Sequence, residues 1–440
     1  MRVSLGVLWL TIAGCFGGAN LATAAQTNSA PVDALVIRAH NEAQDGRYAE
    51  AIRIYGEALR VSPQDLGAEV GIAQAYRSVH NYDEARRVLE RARREHPKSA
   101  PPLALLGDLD IELQRYDEAI ANLTAALAAS PEDLATRNRL AAAYRSKGDE
   151  ANALDEVAKI LARDPNSALA YYTRAQIYSG RNQDALALPD ARKVVALQPN
   201  NPRGRMLLAT ILLRAPEVST LAEVKQRCEE AASTLEPSRA ESSLDAEMLF
   251  LLSRAYRCAG REAEAQSALT EFEAASQNER STKENQTQAK HLVQQANDLA
   301  MKNDFAGSLD LLKQAIAMDP TYGAAYSQLA KLYYSAGELE QASEAIGQAL
   351  MRDPYQPDYL YVEGKLLEKQ GKWDEAMAAF QKTTLVNPNE SDAYFEMGAI
   401  YEQHGEKAKA IAAYKRAVEL SPGDPDYRRA LKAATAAPAR

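Results

Sequence analysis

The sequence predicts an all-α protein, a solenoid of about eleven helix-turn-helix units stacked in chain order. Two observations carry that prediction. Prolines recur on a fixed ruler, at Pro63, Pro97, Pro131, Pro165 and Pro199 and again at Pro320, Pro354, Pro388 and Pro422, each 34 residues after the last in its series. Small residues keep the same step. With each proline set as position 32 of its unit, position 8 is Ala39, Ala73, Gly107, Ala141, Ala175, Ala296, Ala330, Gly364 and Gly398. Position 20 is Ala51, Ala85, Ala119, Ala153, Ala187, Ser308, Ala342, Ala376 and Ala410. A period between about 20 and 50 residues marks a repeat architecture, in which a unit hides its apolar face only against its neighbours.

Each part of the unit has a physical reason. Small residues at matched places on two successive helices let their backbones approach closely. Gly46, Gly148, Gly337, Gly371 and Gly405 at position 15 suit the left-handed residue that ends the first helix. Tyr48, Tyr82, Tyr116, Phe305 and Trp373 at position 17 pack the turn that follows. The proline ends the second helix, because it has no N–H to donate and forces its predecessor out of the helical region.

Period, small residues, aromatic positions and proline together resemble the tetratricopeptide repeat (TPR) family over nearly the whole chain after its N-terminal segment. The resemblance implies a right-handed superhelix of about eleven TPR units whose first helices line a concave groove, and a role as an interaction scaffold. Residues 32–237 form an N-terminal block of six units. The sixth, from about Pro202, has an enlarged turn at Ala215 to Thr220 that sets its terminal Pro237 four residues late. An irregular unit covers 246–274, and 275–288 has no Val, Ile, Leu, Met or aromatic residue, so it reads as a polar joint or a solvated helical extension. A C-terminal block of four units spans 289–422, and 423–440 reads as a cap helix and tail with Tyr427, Arg428, Arg429, Leu431 and Lys432. A solenoid needs such a cap because its last apolar face has no neighbour.

Residues 1–25 read as an export signal: Met1-Arg2, an apolar run from Val3 to Ile12, and no further charge until Asp33. Ile12-Ala13-Gly14-Cys15 resembles a bacterial lipoprotein signal, with Cys15 as the lipidated residue. Ala22-Thr23-Ala24 fits ordinary small-x-small cleavage, and 26–31 is then a linker. The expectation is a periplasmic protein, lipid-anchored at Cys15 or free, whose only membrane contact is that lipid.

A net charge of -9 and a pI near 5.4 argue against a phosphate-binding surface and so against nucleic acid as partner. The five histidines, His40, His80, His96, His291 and His404, lie far apart, and no phosphate loop, HExxH or GxSxG string is present. The expectation is a protein without catalysis, cofactor, metal or small-molecule substrate, since units occupy the chain so fully that no catalytic domain fits.

What remains is surface. The resemblance implies that positions 2, 5, 9 and 12 of the first helices face the groove. Position 9 then carries His40, Gln74, Asp108, Gln176, Asn297, Lys331 and Lys365; position 5 carries Tyr172, Tyr361 and Phe395, with Tyr334 at position 12. The aromatic side chains are either partner anchors or packing between adjacent first helices. The clamp by which some family members hold an acidic peptide tail is not matched: the first unit offers Val36 and His40, the third Pro101 and Leu105. Arg86, Arg87, Arg91, Arg93 and Arg94 crowd one second helix, where a solvated face outweighs an anion or lipid-headgroup patch. Cys228 and Cys258 either bridge, bracing the array where its period slips, or are two buried free thiols; by alignment they sit at unequal depths along their helices, which counts against the bond.

The reading is a scaffold that holds a protein partner or peptide segment in its groove within a bacterial envelope. The alternative is an accessory subunit of an envelope assembly or of an exopolysaccharide synthesis or export enzyme.

Overall fold

The computed structural model describes residues 29–214, 220–240 and 245–436. Cys15, the two cleavage sites and most of the enlarged turn at 215–220 lie outside the described residues.

Among the described residues there are helices and no strand. In chain order they are α1 (Ser29–Gln44), α2 (Tyr48–Val61), α3 (Leu66–Ser78), α4 (Tyr82–Glu95), α5 (Ala100–Glu112), α6 (Tyr116–Ala129), α7 (Leu134–Lys147), α8 (Glu150–Arg163), α9 (Ala168–Gly180), α10 (Asp184–Leu197) and α11 (Pro202–Leu212). They continue as α12 (Leu221–Ala240), α13 (Ala246–Ala259), α14 (Glu262–Met301), α15 (Phe305–Met318), α16 (Gly323–Ala336), α17 (Leu339–Arg352), α18 (Pro357–Lys369), α19 (Trp373–Val386), α20 (Ser391–Gln403), α21 (Lys407–Leu420) and α22 (Pro425–Thr435). Successive helices pack in pairs, as a helix-turn-helix solenoid requires. Two compact units result: Arg86–Ser281, and the chain up to Ala85 together with Thr282 onward.

The small positions are where the backbones meet. Every position-20 residue from Ala51 to Ala410 is at most 1% exposed. At Gly107, Gly364 and Gly398, all at position 8, the residue at position 24 of the same unit occupies the space a Cβ would need. A Cβ on Gly364 would stand 2.5 Å from Cε1 of Phe380, one on Gly398 2.6 Å from Cδ1 of Tyr414, and one on Gly107 2.5 Å from Cγ of Leu123. Ala330 faces the β-branched Ile346 and Ala141 the β-branched Val157, while Tyr55, at position 24 of a unit with Ala39 at position 8, crowds Gly71 of the following helix instead, 2.3 Å from the Cβ that glycine lacks.

The left-handed turn is more general than its glycines. Gly46, Gly148, Gly337, Gly371 and Gly405 have φ between 74° and 85°, and His80, Gln114, Asn182 and Asn303 adopt φ of 57° to 63° at the same position of the other units. In each, the amide that follows reaches back to a carbonyl five residues earlier, as Asn81 N to Tyr76 O (2.9 Å) and Arg115 N to Asp110 O (2.7 Å). These bonds satisfy carbonyls that the helix end leaves open and so repay the strained backbone.

Two expectations are corrected. Pro237 does not end its helix: it lies inside α12, which runs on to Ala240. Side chains beyond it hold the added turn, with Ser238 accepting from the buried Arg205 guanidinium (2.8 Å) and Arg239 paired with Glu271. Cys228 and Cys258 are joined as a disulfide, with Cα atoms 5.7 Å apart. Cys228 is buried at 2% exposure, whereas Cys258 is exposed, so the alternative of two buried thiols does not describe them. The unequal depths inferred from the 34-residue ruler disappear because α12 is six residues longer than a regular second helix of 14.

Residues 275–288 are helical and lie within the 40-residue α14. At the C-terminus, α22 buries Tyr427 and Ala434 while Arg428, Arg429 and Lys432 stay exposed.

Candidate protein-binding groove

The groove side chains are set by helix register. Residues one repeat apart lie on neighbouring first helices, and stepping back three or seven residues moves about one or two turns along that neighbour. A pair separated by 31 or 27 residues therefore meets across two repeats.

In the unit formed by Arg86–Ser281, Asp108 accepts a salt bridge from Arg139 at 3.1 Å, a separation of 31 residues. Arg145 donates to the side-chain carbonyl of Gln176, again 31 residues on, and the Gln176 amide donates to the Tyr172 hydroxyl at 3.0 Å. Tyr172 is half-buried, so it belongs to this chain of hydrogen bonds as well as to the surface. On α4, Arg86 is ion-paired with the buried Asp110 of α5, while Arg93 is exposed and pairs with Glu90 one turn away on its own helix at 2.5 Å. Comparable cross-helix pairs join Arg174 to Asp190 (2.6 Å) and Arg137 to Glu156 (2.6 Å).

In the other unit, His40 and Gln74 are exposed; Nε2 of His40 meets the Gln44 side-chain amide one turn later at 2.9 Å. Lys331 binds Asp358 of the next first helix at 2.7 Å, and Ser327 donates to the same carboxylate at 3.1 Å. Lys365 sits between Glu368 (2.7 Å) and Glu396 (2.9 Å). Tyr361 donates to Glu396 at 3.5 Å and lies against Phe380, ring centroids 5.7 Å apart. Phe395 stacks on Tyr427 at 5.0 Å and tilts against Tyr414 at 5.6 Å. Tyr334 takes the Lys369 ammonium over its ring at 5.4 Å. Tyr361 and Phe395 are half-buried and pack against the second helix of their own repeat and the helix beyond it, while Lys331 and Lys365 are both ion-paired.

Burial and charge tune this cluster. Burial raises the Glu396 carboxyl above the usual carboxylate range, and the Lys365 ammonium only partly offsets it. Burial works to lower Lys365, and the hydrogen bonds to Glu368 and Glu396 outweigh it, so its ammonium is held above the ordinary value. Tyr361 is pushed up by burial and then by the Glu396 charge. Burial also raises Glu363, helped by Glu375 and opposed by Lys382.

Sequence reasoning missed Asp358, Glu368 and Glu396 as partners of the groove lysines. The signal was present in the spacing: a cation at position 9 followed by a carboxylate 27 or 31 residues later for Asp358 and Glu396, and one turn later on the same helix for Glu368.

Comparison with known proteins decides the family. Models of the tetratricopeptide repeat match residues 42–109, 110–177, 299–366 and 361–425. The chain belongs to the tetratricopeptide repeat family. As a TPR protein it carries the repeats of a protein-interaction scaffold. No curated protein matches the chain. Among solved structures it is similar to MamA, at 25% identity and TM-score 0.29, over 32% of this chain and 81% of that one. It is also similar to a chain of the APC/C hetero-tetramer Cut9–Hcn1, at 14% identity and TM-score 0.32, over 93% of this chain and 97% of that one.

Proposed function

We propose that this protein is a non-catalytic scaffold in a bacterial cell envelope, exported through its N-terminal 25 residues and holding a protein partner on the inner faces of its first helices. The observation that carries the reading is the array itself: the described chain is spent on stacked helix pairs, an architecture that multiplies surface without building a compact pocket. The Cys228–Cys258 bridge supports export, because disulfides persist in oxidising compartments and are reduced in the cytoplasm. Cys15 is the candidate lipid site. The partner class is protein; the negative chain disfavours nucleic acid.

Tyr361 and Phe395 are poor test positions because truncating them opens the packing between repeats. The test uses exposed groove positions instead. A photo-crosslinking residue is placed at His40, at Gln74 and, for comparison, at the exposed second-helix positions Arg60 and Glu419, in cells that make the full chain. Adducts to a defined protein from His40 or Gln74, absent at Arg60 and Glu419, are expected. Equal labelling from all four positions refutes groove binding. Alkylation of unreduced protein and the mass of the mature N-terminal peptide test export: free thiols at both Cys228 and Cys258 with an intact Met1 would refute it.

A further inference from the structure

We propose that Tyr355 and Asn81 form a releasable clasp that closes the first two repeats onto the ninth and tenth. The Tyr355 hydroxyl accepts from the Tyr48 amide at 2.8 Å and donates to the Gly46 carbonyl at 2.7 Å, across more than 300 residues of chain. The two tyrosine rings lie 5.7 Å apart, tilted by 50°. One repeat further along, the Asn81 side-chain amide donates to the Leu385 carbonyl at 2.6 Å. Both sides advance by about one repeat between the two contacts, so the two edges run in register.

The contact is made where helix ends need partners. Tyr48 opens α2, whose N-cap residue Arg47 makes no side-chain capping bond. The first amides of a helix have no partner inside it, and the Tyr355 hydroxyl supplies one from another repeat. Asn81 does two jobs: Oδ1 accepts from the Glu84 amide at 3.2 Å, capping α4, while Nδ2 reaches one of the last carbonyls of α19. These are departures from the repeat. Position 33 elsewhere is Gln64, Lys98, Glu132, Asn166, Asn200, Thr321, Asn389 and Gly423, all exposed, and Tyr355 is the one aromatic. Asn81 is 4% exposed, whereas Arg47, Arg115, Gln183, Asp304, Glu338, Lys372 and Glu406 at the same position are exposed. Burial raises the Tyr355 hydroxyl above its ordinary value, so it stays a neutral donor and acceptor.

The seam is built to release. Helices of this unit pack on their neighbours in sequence, and across the seam the joining groups are polar side chains meeting backbone. On opening, each of these groups exchanges its bond for one to water, so these hydrogen bonds oppose release only weakly.

Nitroxide labels at the exposed positions 47 and 351 (Arg47→Cys, Met351→Cys, with Cys15→Ser and the native bridge left intact) report the seam as a distance distribution in the full chain. A single short distance is expected, spreading to longer values in Tyr355→Phe/Asn81→Ala. Tyr355→Phe, which keeps the ring and the fold, is expected to speed hydrogen exchange at the Tyr48 amide by about tenfold, with little change at amides of α9. Three results overturn the proposal: a long distance in the parent, an unchanged narrow distance in the double variant, or a short distance that vanishes on dilution with unlabelled protein. The last would make the seam a contact between two copies of the chain.

Discussion

Replacing Gly364 by alanine should destabilise the C-terminal repeats, and replacing Phe380 by isoleucine in the same chain should largely undo the damage. Gly364 is in the interior of α18, where alanine is ordinarily favoured over glycine by about 1 kcal/mol. Here the added Cβ would lie 2.5, 2.7 and 2.8 Å from three carbons of the Phe380 ring. Phe380 is 0% exposed and cannot swing into solvent. Overpacking of this kind costs about 1–3 kcal/mol; with three ring atoms in conflict the upper end applies, and the net loss is about 2 kcal/mol. Phe380→Ile alone leaves a void and costs about 1–2 kcal/mol.

The double variant reproduces the Ala330–Ile346 pairing that the preceding repeat already uses. It should return to within about 1 kcal/mol of the parent, a coupling of about 2–3 kcal/mol between neighbours. Long repeat arrays lose strict two-state unfolding, so the measurement is urea titration with the slope monitored, combined with amide exchange in α18 and α19. The reasoning is refuted if Gly364→Ala stabilises the protein as it would at an open helix site, or if the two single costs add in the double variant.

Four further outcomes follow from the same geometry. Gln114→Gly should stabilise by about 1 kcal/mol, since Gln114 holds φ of 58° without a glycine's freedom; a lower urea midpoint would contradict the strain. Gly148→Ala should cost about 1–2 kcal/mol although its Cβ would meet nothing within 4 Å, because φ of 85° is itself the obstacle. Glu363→Gln should stabilise at pH 7 and change nothing below pH 4. The raised folded pKa means that the native state binds the proton more tightly, so stability falls as pH rises through and above the ordinary carboxylate value, by about 1.4 kcal/mol per pKa unit. Cys258→Ser should lower stability by about 3.5 kcal/mol on the chain-entropy estimate for a 30-residue separation, with the loss reproduced in the parent by reductant.

The repeat was legible because every element of it is a local steric requirement. A residue that must be small, a backbone that must be left-handed and a residue without an N–H recur at fixed positions, and each is visible as a residue type. Four of the ten left-handed positions among the described residues were invisible for the same reason: His80, Gln114, Asn182 and Asn303 meet the backbone demand at a cost, and a residue type records only the cheap solution. The sixth repeat was misjudged where the ruler slips, since α12 runs on past Pro237 to Ala240 and this added length brings Cys228 level with Cys258 on the next helix. The groove was the least legible part. Tyr361 and Phe395 stand at positions that face a partner in the family, yet their neighbours Phe380, Tyr414 and Tyr427 are large enough to take up the rings.

That ion-paired surface constrains what the groove can hold. A partner lying across α16, α18 and α20 meets Lys331 already bound to Asp358, and Lys365 already bound to Glu368 and Glu396. An acidic peptide would gain the lysines only by leaving those carboxylates charged and unpaired, and Glu396 is half-buried, where an uncompensated charge is most costly. A basic segment faces the opposite trade, gaining Glu396 and Asp358 while displacing the ammonium groups that now hold them. Either exchange is near balance, so charge here selects the register of a partner more than it drives affinity. On the proposed reading, binding strength has to come from surface that is not already committed, and in the first two repeats His40 and Gln74 are exposed.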